Sequence, residues 1–157
     1  MAISIKLKKF LDENKVSYQV AAHSEVYTAQ EIAAALHVSG KELIKVVMVK
    51  AEDKFVMAVL PASWRVDMVK LREVLENKNI KLATEAEFKN LFPDCEPGAM
   101  PPFGNLYGLD VYEDKALAED EEIFFQAGNH IESIKMKRKD FERLVKPMAA
   151  DFSTHLH

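Results

Sequence analysis

Leu7, Phe10 and Leu11 recur at helical spacing behind Ser4, a capping residue, and predict an amphipathic helix over residues 4–14. A short strand, "VSYQV", follows at 16–20. Thr28 and Glu31 stand at capping-box spacing ahead of Ile32, Ala33 and Leu36, which predicts a second helix ending near Val38 to Gly40. "LIKVVMVK" and "KFVMAVLP", joined by "AEDK", are β-branched and mostly apolar, the pattern of a hairpin of buried strands at the centre of a sheet.

Beyond the hairpin, Asp67 can cap a helix carrying Val69, Leu71, Val74 and Leu75, and "NIKLA" reads as a strand. Thr84 and Glu87 repeat the capping-box spacing before Phe88, Leu91 and Phe92. "NLYGLDVY", "EIFFQAG" and "IESIKMK" read as strands, the last two separated by "GNH". Asp140 opens a last helix with Phe141, Leu144 and Val145, and Pro147 ends it. Helices and strands alternate irregularly with hairpins among them, which predicts a mixed α/β fold: a mixed or antiparallel sheet with helices around it, not a doubly wound parallel one.

Size and charge narrow the function. The 157 residues, 48% hydrophobic and 29% charged, suit one globular domain over 1–157. A net charge of −4 does not attract nucleic acid as a whole, so a polyanion would have to meet "KLKK" at 6–9 or "KMKRK" at 135–139; the plainer reading of both is a solvated face. No apolar run reaches membrane-spanning length and the start lacks a signal-peptide pattern, so a cytoplasmic location without membrane contact is expected. Cys95 is the single cysteine and the histidines are scattered, with His155 and His157 in a terminus expected to fray, so neither disulfide nor metal nor other cofactor is predicted.

Chemistry concentrates in three places. "LFPDCEPGAMPPFG", residues 91–104, holds four of the six prolines and two of the five glycines; its shape is set before a ligand arrives, which suits amides that hold a carbonyl or carboxylate oxygen, though a structural cap would tolerate the same composition. Lys45 interrupts an apolar strand on the face of Val47 and Val49, where its ammonium needs water, a carboxylate or an anionic ligand; a wet sheet face is the alternative. "GNH" at 128–130 joins a permissive glycine to a histidine, which could equally be a surface turn. Cys95 has no sequence neighbour that would activate it as a nucleophile.

In this order the three elements resemble the YbaK and prolyl-tRNA synthetase editing-domain family of aminoacyl-tRNA deacylases. Gly98-Ala99-Met100-Pro101-Pro102 matches that family's GxxxP loop, continued by Phe103-Gly104; Lys45 matches the lysine of its central strand; "VLPAS" at 59–63 and "AGNH" at 127–130 match its two turns. The resemblance spans about His23 to Pro147 and implies a strongly curved sheet or barrel surrounded by helices. It implies a free-standing deacylase that removes a wrong amino acid from tRNA, with alanine or cysteine on tRNA(Pro) as the expected substrate, and with no cofactor and no DNA partner. A synthetase is a further possible partner, and a non-catalytic module that binds an aminoacyl-like ligand or a synthetase is the alternative.

The resemblance also implies roles. Lys45 meets the terminal adenosine's phosphate or ribose, amides from Gly98 to Pro102 hold the aminoacyl group, and His130 orients substrate or water. Ala99, Met100, Pro101, Pro102, Phe103, Gly104, Gly128 and Asn129 line the substrate site. A tRNA ribose hydroxyl and a positioned water replace a protein nucleophile. Pro101 stands where relatives often carry a small polar residue, and it has no N–H to offer.

Overall fold

The computed structural model describes residues 2–25, 28–36 and 42–155. In chain order its helices are α1 (Ile5–Glu13), α2 (Ala29–Leu36), α3 (Met68–Leu75), α4 (Glu85–Phe88) and α5 (Arg138–Val145). Its strands are β1 (Tyr18–Ala22), β2 (Ile44–Ala51), β3 (Lys54–Pro61), β4 (Trp64–Val66), β5 (Ile80–Leu82), β6 (Asp110–Asp114), β7 (Glu122–Gln126), β8 (Glu132–Lys137), β9 (Met148–Ala150) and β10 (Ser153–His155).

Five strands form one sheet in the order β5-β2-β3-β6-β9, and β1-β8-β7 form a second. β3–β6 and β6–β9 run parallel while β2–β3 and β2–β5 run antiparallel, so the sheet is mixed. A parallel bridge from Leu43 to Phe124 joins the approach to β2 with β7, tying the two sheets together.

Both faces of the β2–β3 hairpin are covered, which is why its sequence reads as nearly unbroken apolar runs. One face presents Ile44, Met48, Met57 and Val59 to Leu7, Leu11, Phe92, Phe103, Phe125 and Phe141; the other presents Val49, Val56, Ala58 and Leu60 to Leu71 and Phe152. In α1, Leu7 and Leu11 lie one turn apart and are fully buried, a burial worth about 2 kcal/mol each. Ser4 caps that helix by accepting from the Leu7 N–H.

The expected caps at Ser4, Asp67 and Thr84 are all present, Thr84 as a reciprocal capping box with Glu87. Thr28 and Glu31 also exchange their two capping hydrogen bonds; the expected end of that helix at Val38 to Gly40 lies outside the described residues.

Other expectations are corrected. Residues Gly104–Tyr107 form a 3-10 turn rather than strand, because Gly108 at φ +73° breaks the extended run before β6. Lys137 rather than Asp140 is the N-cap of α5, since β8 runs directly into the helix and leaves Asp140 in its first turn. His155 is not frayed: β10 pairs with β4, and its ring meets Trp64 edge-on at 5.1 Å.

Candidate active site

The proline-rich loop makes a sharp exposed corner at Pro97–Gly98 and is buried from Ala99 to Gly104. The corner is a β-turn closed by the Ala99 N–H donating to the Glu96 carbonyl at 3.1 Å, with Pro97 supplying the fixed φ and Gly98 a φ of +83° that other residues adopt only with strain. This turn consumes the Ala99 amide, and Pro101 and Pro102 have none. Among the described residues the Gly98 and Met100 N–H groups donate to no acceptor, and only Gly98 is exposed.

The loop and the "GNH" turn are one assembly. Gly128 donates to the Ala99 carbonyl at 2.9 Å, and the Gly128 carbonyl accepts from the Glu96 N–H at 2.8 Å. The Glu96 carboxylate accepts from the His130 N–H at 3.0 Å. His130 Nε2 lies 2.9 Å from the Pro97 carbonyl, which can only accept, so this nitrogen carries the hydrogen. Nδ1 then accepts from the Gln126 amide at 3.3 Å. The His130 ring, 7% exposed, is thereby held edge-on behind the turn with both nitrogens occupied, a brace rather than a free base.

The remaining expected site residues divide by burial. Asn129 folds its own turn, its Oδ1 accepting from the Ile131 and Glu132 N–H groups and its Nδ2 donating to Glu132. Gly128, at φ +109°, leaves only 2.8 Å between a would-be Cβ and the Ser4 nitrogen, so glycine is required where α1 docks. Phe103 has no exposed surface; it meets Phe125 and Phe141 at ring distances of 5.6 and 5.5 Å and anchors the loop to the core. Met100 packs in the same cluster, and Gly104 brings the backbone against Val111.

Lys45 is half-buried on β2, opposite Leu60. Burial lowers its pKa, and among the described residues no carboxylate pairs with it. It touches neither loop by any hydrogen bond. The Leu43–Phe124 bridge nevertheless sets β2 beside β7 in a parallel register whose next like-facing pair is Lys45 and Gln126, and Gln126 holds His130.

Cys95 is a free thiol buried in the loop. Burial is the main cause that pushes its thiol up to about 11, and no imidazole stands by it; its neighbours are Asp94 and the Tyr107 hydroxyl. Those two groups, with Ser4, form a polar knot: Tyr107 and Ser4 each donate to the Asp94 carboxylate, at 2.8 and 2.6 Å. Glu96, Gln126, Asp94 and Glu85, whose Oε1 lies 3.7 Å from the position of a Cβ on Gly98, were not singled out by sequence. None has a periodic signature: Asp94 and Glu96 lie inside the proline-rich loop, Gln126 just before the "GNH" turn, and Glu85 in the first turn of α4.

A profile of the aminoacyl-tRNA editing domain family matches residues 23–144. The chain belongs to this family. An editing role on aminoacyl-tRNA is the functional class that this membership carries. Over 152 residues, 94% of this chain and 90% of the relative, it is 28% identical to the multifunctional Ser/Thr-tRNA deacylase ProXp-y of Escherichia coli K12. It is also 31% identical over 106 residues to the proline–tRNA ligase of Bacillus subtilis 168, covering 68% of this chain but 19% of that enzyme. Among solved structures, one proposed to be a trans-editing enzyme for prolyl tRNA synthetase superposes with a TM-score of 0.83 at 20% identity, covering 96% of each chain, which shows the shared fold. This family contains the resemblance read from Lys45, the GxxxP loop and "AGNH". Among the described residues no helix is long and apolar enough to cross a membrane.

Proposed function

We propose that this chain is an aminoacyl-tRNA deacylase that acts in trans on a mischarged tRNA carrying a small amino acid. The observation that carries the reading is the exposed Gly98 amide, fixed beside His130 on a turn that proline and hydrogen bonds lock in place. In the reaction a water oxygen bonds to the ester carbonyl carbon, the bond from that carbon to the ribose oxygen breaks, and the ribose oxygen takes up a proton. The Gly98 N–H donates to the carbonyl oxygen as it becomes an oxyanion, a contribution of about 3 kcal/mol for one preorganised donor. His130 keeps the turn in register, and the polar edge of the turn is where water is held.

Lys45 takes the role of binding the phosphate or ribose of the terminal adenosine. A half-buried ammonium with no carboxylate partner among the described residues is under-compensated, and an anionic phosphate supplies the missing charge. For the amino acid, alanine or cysteine on tRNA(Pro) is one arm of the proposal. Serine or threonine is the other, supported by the nearly full-length match to a Ser/Thr-tRNA deacylase. A synthetase that presents the tRNA is the macromolecular partner this reading admits.

The test is release of amino acid from tRNA(Pro) charged with alanine or cysteine and from tRNAs charged with serine or threonine, by wild type and Lys45→Ala. Turnover of at least one substrate, reduced about tenfold or more in Lys45→Ala, is expected. Binding of aminoacyl ligands without turnover would establish a binding module instead.

A further inference from the structure

An aminoacyl ester brings two polar groups to its site: the carbonyl to be attacked and, two bonds from its carbon, a primary ammonium. If Gly98 takes the carbonyl, the ammonium must come to rest against whatever stands beside Gly98. Two side chains do, and a Cβ on Gly98 would have the Glu85 Oε1 and the His130 Cε1 each at 3.7 Å. His130 has both ring nitrogens occupied, and the Glu96 carboxylate is spent on the His130 N–H.

Glu85 is different. It is exposed, and among the described residues its carboxylate makes neither hydrogen bond nor ion pair. Lys50 and Lys81 both converge on Glu87, at 3.1 and 3.7 Å, and Lys89, one turn on from Glu85, forms no ion pair with it. Glu87 also closes the capping box of α4, so the two acids of one short helix have separate fates. The ordinary explanation for an acid in a first turn is attraction to the helix N-terminus, but α4 is only four residues long and its dipole is correspondingly small.

The geometry points to Glu85 as the residue that holds the α-ammonium of the aminoacyl ester and so makes the site selective for an unblocked amino acid. The inference rests on the deacylase reading above and deepens it. A carboxylate next to the carbonyl site attracts a free amine and gains nothing from an acylated one. The protein would therefore spare tRNA esters whose amino group is already in an amide bond, the chemical state of a growing chain, while clearing those that are merely mischarged.

The experiment uses the mischarged tRNA that wild type hydrolyses best, once with its amine free and once N-acetylated, against wild type and Glu85→Gln. Wild type is expected to prefer the free amine by about tenfold or more, and Glu85→Gln to lose most of that preference. The loss should appear as a raised KM on the free-amine substrate, while both proteins handle the acetylated one alike. An equal loss on both substrates would mark Glu85 as a structural residue, and no loss on either would remove it from the site. If wild type turns over none of the tRNAs, the deacylase reading fails by itself. A non-hydrolysable amide-linked aminoacyl adenosine, free or N-acetylated, then decides Glu85 by binding: equal affinities of wild type and Glu85→Gln for the free-amine form overturn the proposal.

Discussion

Glu113 lies on β6 with 4% of its surface exposed, and its Oε1 has no hydrogen-bond partner; Arg138 Nη1 stands 3.8 Å away, near enough for attraction but too far for a bond. Burial, with the neighbouring Glu142 adding to it against the pull of Arg138, raises its pKa from 4.5 to about 7. The folded protein thus holds a proton on Glu113 that the unfolded chain releases between those two values, so stability falls as pH rises from about 4.5 to about 7 and the full cost is present above. Glu113→Gln, a neutral isostere, is expected to stabilise the protein at pH 8 by about 1 to 3 kcal/mol, and to change little at pH 4. Urea unfolding at the two pH values measures the difference. Nothing in "LDVYED" distinguishes this buried glutamate from the exposed Asp110: alternation tells which face a residue takes, but not that an arginine and a second carboxylate arrive there from α5.

At the scale of elements, a capping group followed by an apolar stripe was legible at Ser4, Thr28, Asp67 and Thr84, because both signals are local, and it misplaced the start only at Asp140, where β8 runs straight into the helix. β4 and β9 escaped notice and β10 was expected to fray, because such short segments, unlike "NIKLA" at β5, carry no alternating apolar pattern of their own. The meeting of the proline-rich loop with the "GNH" turn was legible through family resemblance alone, since hydrogen bonds between residues some thirty positions apart leave no spacing to read. α1 is joined to this pair of loops at its N-terminus: Ser4 donates its N–H to the Ala127 carbonyl at 2.7 Å and its hydroxyl to Asp94. Gly128→Ala would force a Cβ into the Ser4 backbone and strain a φ of +109° at once. The expected loss is about 2 kcal/mol or more, read as a lower denaturation midpoint, together with reduced deacylation because the turn behind Gly98 shifts.

For the whole molecule, both basic runs are partly offset by acids where they stand. Lys8 and Lys9 pair with Asp12 and Glu13 one turn on, Lys135 with Glu122, and Arg138 with Glu142. A cavity of about 530 Å³ lined by Lys137, Arg138 and Lys139 is lined equally by Asp120, Glu121 and Glu122. With a net charge of −4 there is little to grip a phosphate backbone. Binding of uncharged tRNA is therefore expected to be weak and to change by less than about tenfold between 50 and 200 mM salt, as measured by filter binding or fluorescence anisotropy. A steep salt dependence would reveal a phosphate-binding surface.

The docking of Ser4 has a consequence for the order in which the molecule can come together. α1 precedes the other described helices along the sequence, yet its capping serine finds its partners at Asp94, Tyr107 and Ala127. During synthesis the helix must wait, its apolar stripe uncovered, until most of the chain has followed. Contacts of such long sequence separation slow folding, because a large loop must close before they contribute. Seating of α1 therefore has to follow arrival of the chain as far as Ala127, and the join between Ser4, the proline-rich loop and the turn at Gly128 is completed with it.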